Sequence, residues 1–349
     1  MKKEKDMVIA TLGSHSALQI LKGAKEEGFK TLAIVERGRE TPYKRFRVCD
    51  ETIVLESFKN ITDAEVQEKL LDLNAIIIPH GSFVAYLGIK CVEEELQVPM
   101  FGNRKILRWE ADRKLERKWL EKSNLKIPKE YNHPKEVENL AIVKFPGARG
   151  GEGYFLLKGP DSFHKKAEEM VKMGLITEED FKDVTIQEYI PGVNFYLSYF
   201  YSPLRDEVEL FGIDVRYETN VDGLTRIPAK NQLELDLDPT YIVVGNSPIV
   251  VREALLQQVF EMGDRVVEAS KELCPPGIIG PFCIETVCTE KMEFITFEIS
   301  ARIVAGTNLY VGGSPYSYLL YGENVSMGRR IAMEIKKAIE MDRLEDLIS

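Results

Sequence analysis

Short apolar runs alternate with amphipathic stretches through residues 1–105. Period-2 or fully apolar runs at 7–12, 31–36, 52–55 and 75–79 read as strands. The stretch 17–27 carries Leu18, Ile20, Leu21 and Ala24 on one helical stripe, 61–73 follows the same rule, and a further helical stretch starts at Phe83. This order predicts a parallel sheet with helices on its faces, in which ligands gather at the carboxyl ends of the strands. From 104 to 129, Trp109, Leu115, Trp119 and Leu120 form an apolar helical face among many cations, which reads as the link to the next lobe. Strands are expected at 141–145, 154–158, 185–189 and 195–201, and Ile331, Ile335 and Ile339 mark a helix over 326–347, expected to pack on the third lobe.

The pattern is most informative at 279–308. A strand at 281–288, a polar connection and a strand at 294–302 make a hairpin. With the turn near Lys291 and Met292, Glu285 and Glu298 face each other. Alternation then puts Glu298, Ser300 and Arg302 on one face and Ile295, Phe297 and Ile299 on the other. Opposed carboxylates repel unless a cation lies between them, so the hairpin reads as a Mg²⁺ site beside an anion-holding arginine. A half-exposed hairpin with scattered charge accounts for the same residues.

Composition narrows the class. The 349 residues, 44% hydrophobic and 29% charged, are enough for two or three lobes of a globular protein. A net charge of −10 argues against a general nucleic-acid binder while leaving room for a local basic pocket. No apolar run reaches the ~18 residues of a membrane span, and the N-terminus passes from charge straight into a strand, so a cytoplasmic protein with no membrane partner is expected. The five cysteines lack a common zinc spacing and read as buried free thiols.

Two strand-exit turns resemble each other, Gly13-Ser14-His15-Ser16 and His80-Gly81-Ser82. Each sets a small residue, a hydroxyl and an imidazole at a helix N-terminus, which suits a phosphate or carboxylate; alternatively Ser14 and Ser82 only cap helices. After the strand ending near Lys144, the run PGARGGEG, with Gly150 and Gly151, can bend over a triphosphate, although it lacks the G-K-[ST] of a P-loop and reads equally as a flexible turn. The stretch Glu188-Tyr189-Ile190-Pro191-Gly192 then forms a hinge whose backbone groups can pair with an adenine edge, or an ordinary Pro-Gly loop.

Taken in order, a lysine strand, a glycine loop, an E-Y-I-x-G hinge and a paired-Glu hairpin ending E-x-S-x-R resemble the ATP-grasp fold. Further stretches, among them GSHSALQILKGAKEEGF, PMFGNRKILRWEADRKLERKWL, VKFPGARGGEGYF and SARIVAGTN, resemble the archaeal-type formate-dependent FAICAR synthetase family. The resemblance implies an α/β chain with an N-terminal parallel-sheet domain (1–112), a small ATP-grasp lobe (113–190) and a large one (191–349). It implies ATP bound by Arg113, Lys144, Gly150, Gly151, Glu188, Tyr189, Ile190 and Glu218, and Mg²⁺ or Mn²⁺ on Glu285 and Glu298. AICAR is expected at His15, Ser82, Asn246, Arg302, Thr307 and Asn308, with formate as the second small substrate. His15, Lys144 and Arg302 are the expected catalytic residues, His15 as a base or as a phosphate contact, in a homo-oligomer. The implied reaction phosphorylates formate and passes the formyl group to the 5-amino group of AICAR. Ser300 departs from the Asn of many ATP-grasp enzymes, which puts a third protein ligand to the metal in doubt. A ligase for another acid and amine, or a nucleotide-binding regulator, remains the alternative.

Overall fold

The computed structural model describes residues 7–149, 152–235, 240 and 242–349. In the first lobe, β1 (Val8–Leu12), α1 (Ala17–Glu26), β2 (Lys30–Glu36), α2 (Thr41–Phe46), β3 (Glu51–Leu55), α3 (Ala64–Asp72), β4 (Ala75–Ile77) and α4 (Phe83–Leu87) follow one another. The four strands are parallel in the order β3-β2-β1-β4. Helices cover both faces, so β1 is buried along its whole length, as its unbroken apolar run requires. The helix expected over 61–73 divides into a 3₁₀ turn, Phe58–Thr62, that buries Phe58 and Ile61, and α3.

The link breaks at Asp112, whose carboxylate accepts the N–H groups of Lys114 and Leu115 and so ends α5 (Ile106–Ala111) and starts α6 (Arg113–Lys122). Although the sequence assigns it to the small lobe, α6 buries Trp119 and Leu120 in the core of the large lobe, where the Trp119 indole donates to the Val266 carbonyl at 3.1 Å.

The small lobe holds β5 (Glu130–Tyr131), β6 (Leu140–Arg149), β7 (Glu152–Lys158), α7 (Pro160–Lys172) and β8 (Thr185–Glu188), paired antiparallel in the order β5-β8-β6-β7. It has a core of its own around Val143, Phe145, Phe155, Leu157, Phe163 and Ile186.

The large lobe contains β9 (Val193–Ser202), β10 (Glu207–Glu218), α8 (Val221–Leu224), α9 (Ala229–Gln232), β11 (Val243–Pro248), α10 (Glu253–Leu273), β12 (Gly280–Cys288), β13 (Phe294–Ser300), α11 (Pro315–Tyr321) and α12 (Met327–Glu340). Its antiparallel sheet runs β11-β10-β9-β12-β13. The free edge of β13 is covered by the link: Thr296 N–H donates to the Lys126 carbonyl, Ile299 N–H to Glu116 and Ala301 N–H to Glu110, each at 2.7–2.8 Å.

Two expectations are corrected. Glu285 does pair with Glu298, but Thr286 pairs with Thr296, so Phe297 is an extra residue that reverses the alternation. Ile299 stays on the core side with Ile284, whereas Ile295 sits opposite Val287 on the face of Glu285, and Phe297 packs with Tyr196, Cys283 and Val304. The C-terminal helix, expected on the third lobe, lies between the first and third lobes. A Cβ added to Gly328 would lie 2.1 Å from the Gln19 carbonyl of α1, and one on Gly23 would lie 2.1 Å from Arg329 N, so these helices touch backbone to backbone. Toward the large lobe, Ile331 and Ile335 join Phe200, Phe211 and Ile279. Among the described residues, no helix is long and apolar enough to cross a membrane.

Candidate active site

The site is built on one face of the large sheet. Asp214 on β10 pairs with Tyr196 on β9, Tyr196 with Glu285 on β12, and Glu285 with Glu298 on β13, so these four stand in a row across the strands. Arg216, two residues beyond Asp214 and hence on the same face, lies over the Tyr196 ring with its guanidinium 3.5 Å from the ring centre. Its Nη1 and Nη2 donate to Glu285 Oε2 and Oε1 at 3.0 and 2.8 Å. The cation that faces Glu285 in this structure is this arginine, which takes one lone pair of each Glu285 oxygen and leaves the others available.

Glu298 is different. Among the described residues no hydrogen-bond donor reaches its carboxylate, and the residue is exposed at its surface. The crowding of protein around it and the charge of Glu285 push its acid up to about 7, against the pull of Arg216, Lys144 and Arg302. Glu116 of α6 is held beside it, one oxygen accepting Ile299 N–H at 2.8 Å, and its acid is raised well above normal by burial and then by Glu298. Carboxylates that repel one another, Glu285 with Glu298 and Glu298 with Glu116, fit a hard divalent cation centred on Glu298. Ser300 Oγ reaches Glu285, at 3.5 Å.

At the ends of β1 and β4, the His15 and His80 rings stack 5.4 Å apart and within 5° of parallel. His80 Nδ1 accepts Ser82 N–H, so its Nε2–H donates to the Leu12 carbonyl at 3.0 Å; this fixes a neutral tautomer, with the pKa lowered to about 4 chiefly by burial. His15, at φ 52°, contacts Ser16 Oγ through Nδ1 at 2.8 Å. Burial first, then His80, Arg302 and Arg216, lower it to about 2. The Ser82 side chain caps no helix, and Ser14 Oγ instead meets the Tyr86 hydroxyl at 2.8 Å. Gly81 makes room for the group: a Cβ there would be 2.3 Å from His15 Nε2 and 3.1 Å from Arg302 Nη1. Arg302 is anchored by Glu110 at 2.7 Å.

Thr307 and Asn308, on a 3₁₀ turn (Ala305–Tyr310), come to the same place, since Asn308 Nδ2 donates to the His15 carbonyl at 3.0 Å. Asn246 on β11 is held by Asp214 at 2.8 Å. Five residues from three parts of the chain, His15, Asn246, Arg302, Thr307 and Asn308, are thus tied to the carboxylate row or to one another, and Ser82 follows His80 at the end of β4.

From the small lobe, Lys144 Nζ donates to Gln187 at 3.0 Å, with its basicity lowered by burial, and Arg113 reaches the Phe145 carbonyl at 3.2 Å. Gly150 and Gly151 lie outside the described residues. At the hinge the N–H groups of Glu188 and Tyr189 are already bonded to the carbonyls of Lys129 and Leu140, and Glu188 Oε2 accepts Lys129 N–H. Among the described residues, Ile190 alone of these three offers an unengaged N–H. Glu218, its acid pushed up to about 7 by burial, lines a wide cleft of about 620 Å³ with Asn220, Asp222 and Arg226.

Sequence reasoning missed Arg216, Glu116, Glu110, Gln19 and Asp214, and gave His80 no separate role. A signal existed for two of them. In the strand IDVRYE, charge at every second position marks a polar face holding Asp214, Arg216 and Glu218 together.

Comparison with known proteins adds a family. A model described as a domain of unknown function (DUF1297) matches residues 162–349, and one described as a protein of unknown function (DUF1246) matches residues 9–131. The chain is 55% identical over 344 residues to the 5-formaminoimidazole-4-carboxamide-1-(beta)-D-ribofuranosyl 5'-monophosphate synthetase of Methanocaldococcus jannaschii, covering 99% of this chain and 95% of that protein. It is 54% identical, with the same coverage, to the protein of that name from Methanothermobacter thermautotrophicus. The crystal structure of an IMP biosynthesis protein PurP from Thermococcus kodakaraensis matches with a TM-score of 0.77 at 33% identity, over 98% of this chain and 100% of that one. An ADP complex of purK, an N5-carboxyaminoimidazole ribonucleotide synthetase, has a TM-score of 0.61 at 13% identity over 93% and 74% of the two chains, a likeness of fold alone.

Proposed function

The chain belongs to the 5-formaminoimidazole-4-carboxamide ribonucleotide synthetase family, with the ATP-grasp fold, and from that premise we propose that it formylates AICAR with formate and ATP, giving FAICAR, ADP and phosphate. The observation that carries this reading is the meeting, on one cleft, of two unlike groups of residues. One is the Glu298–Glu116 pair opposite Lys144, suited to metal and triphosphate. The other is the His15, Gly81, Arg302 group, suited to the substrate whose amine must react.

A carboxylate is a poor acyl donor because attack on it would have to expel oxide. In this reading a formate oxygen attacks the γ-phosphorus, an O–P bond forms, and the bond to the β-phosphate oxygen breaks to release ADP. The AICAR 5-amino nitrogen then attacks the formyl carbon of formyl phosphate; the C–N bond forms, the C–O bond breaks, and the amine proton leaves with the phosphate. Mg²⁺ or Mn²⁺, held by Glu298 and Glu285 with Glu116 beside them, would neutralise the phosphate oxygens. Lys144 and Arg113 steady the transferring group from the small lobe, and Ile190 N–H is the hinge donor for adenine. His15 is neutral before substrate binds, so it can accept a hydrogen bond from the amine or donate one to the substrate phosphate, while Arg302, Ser82, Thr307, Asn308 and Asn246 fix the ribonucleotide. Excluding water from formyl phosphate falls to the loop after Lys144. The same reading places the reaction in the cytoplasm and in a homo-oligomer; light scattering of the purified chain tests the assembly.

The test is to incubate the chain with ATP, Mg²⁺, AICAR and formate and to follow ADP and the formylated product. ADP release that ignores formate would sink the formyl phosphate route. A Glu298→Gln variant with unchanged turnover and unchanged Mg²⁺ requirement would refute the metal assignment.

A further inference from the structure

Among the described residues, Lys144, Arg302 and Arg216 bring positive charge to Glu298, and the first two have an evident partner away from the centre of the row. Lys144 is tied to Gln187 in the small lobe, and Arg302 to Glu110, with its other nitrogen against Gly81 and His15. Arg216 lies between. Its anchor, Glu285, is on the strand next to Glu298, roughly 5 Å away across the ladder. Its charge acts on Glu298 on one side and on His15 on the other.

The guanidinium is also held unusually still. Glu285 grips it end-on through both Nη atoms, and the Tyr196 ring supports its face. That grip leaves Nε–H and the second hydrogen of each Nη unused, and among the described residues no other acceptor engages them. The side chain keeps 19% of its surface open, against 5% for Glu285. Beside it, Tyr196, Cys283, Val304 and Phe297 form an apolar group on the same face. The features describe a seat for a small planar anion with an apolar edge, placed between the γ-phosphate side and the amine side of the cleft.

We propose that Arg216, clamped by Glu285 and Tyr196, binds the formate carboxylate through its remaining N–H groups and keeps hold of the same oxygens in formyl phosphate. This rests on the formate-dependent reading above. In it Glu285 is a positioning residue that orients the arginine, and partly buried Phe297, packed on buried Tyr196, Cys283 and Val304, is the apolar neighbour of the formate C–H.

The test uses the full-length chain and three variants, Arg216→Lys, Arg216→Gln and Glu285→Gln, with KM measured separately for formate, ATP and AICAR. Arg216→Lys keeps the charge but loses the planar fork, and is expected to raise the formate KM about 30-fold with the other two KM values within about threefold. Glu285→Gln should raise the formate KM less, about 3- to 10-fold. MgADP thermal shifts like those of the wild type show that the variants are folded. A wild-type formate KM in folded Arg216→Lys, or an equal rise in the ATP KM, overturns the assignment while leaving the formate reading intact. A wild type that makes ADP without formate sinks both. Should the variants fail to fold, wild-type crystals soaked with formate and a non-hydrolysable ATP analogue decide: formate bonded to Arg216 supports the proposal, and formate seated elsewhere overturns it.

Discussion

The side-chain amide of Gln19 donates to Thr307 Oγ1 at 2.6 Å and to Asn308 Oδ1 at 2.8 Å, joining the first turn of α1 to residues 288 and 289 positions away. Gln19 is buried, and its carbonyl oxygen has no partner among the described residues. The amide is therefore oriented by the two acceptors alone, and they in turn are held where Asn308 meets the His15 carbonyl.

Replacing Gln19 with Leu should loosen Thr307 and Asn308 without touching the nucleotide side. The AICAR KM is expected to rise about tenfold, equivalent to about 1.4 kcal/mol, with the ATP KM nearly unchanged. Steady-state kinetics with each substrate varied in turn checks this; equal rises in both KM values would point to general disorder instead.

Gly81→Ala places a methyl group against the His15 ring, which cannot retreat because His80 is stacked with it. His15 must swing aside, and the Arg302 guanidinium, 3.1 Å from the added Cβ, is crowded as well. The outcome expected is an AICAR KM at least about tenfold higher with a melting temperature within a few degrees of wild type. An unchanged AICAR KM would remove His15 from the substrate site.

Asp214 makes a prediction about pH. Burial pushes its carboxyl up to about 6 despite Asn246 and Arg216, so the folded chain holds this proton more tightly than the unfolded chain does. Its stabilising contribution is complete below about pH 4 and disappears as pH rises through about 6. Asp214→Asn carries no such dependence. Relative to wild type, its unfolding free energy should improve by about 2 kcal/mol between pH 4 and pH 8. Denaturant titrations at several pH values measure the difference, and a constant offset would contradict the burial argument.

Arg330 tests the frame rather than the chemistry. Its guanidinium is buried over Phe200, 4.0 Å from the ring centre, and bonds Glu209 and Glu334, which Tyr321 and Ser202 also serve. Arg330→Met leaves buried Glu334 with no cation among the described residues and Glu209 with Arg205 and Tyr321 alone, so a loss of about 3 kcal/mol in unfolding free energy is expected, while KM values measured well below the melting temperature stay put. A loss under about 1 kcal/mol would mean the carboxylates find protons or water cheaply.

Much of this arrangement is legible in the sequence where local rules decide it. The register of Glu285 with Glu298 follows from a short turn and strand alternation, and the parallel first lobe follows from alternating periodicities. The bulge at Phe297 is not legible, because one extra residue in a β-prone run leaves composition and pattern unchanged. Nor is the partner of Glu285: Arg216 is 69 residues away, and sheet order alone brings it over Tyr196. The position of α12 escapes for a related reason. Its isoleucine stripe announces a buried face, but Gly328 announces nothing until Gly23 is seen across from it. Glu110 and Glu116 read as ordinary helix charges, and their role on the β13 edge depends on how α5 and α6 dock.

The backbone contact between α1 and α12 has a mechanical consequence. Helices that meet without intervening side chains have little room to slide, so the first and third lobes behave as a single block carrying both His15 and Glu298. The small lobe, with its separate core, is connected to that block by residues 123–129 and 189–192 and touches it through polar contacts such as Arg113 with the Phe145 carbonyl and Arg117 with Glu130. Nucleotide exchange can then proceed by swinging this one piece like a jaw, while the parts that align amine and acid keep their spacing from one turnover to the next.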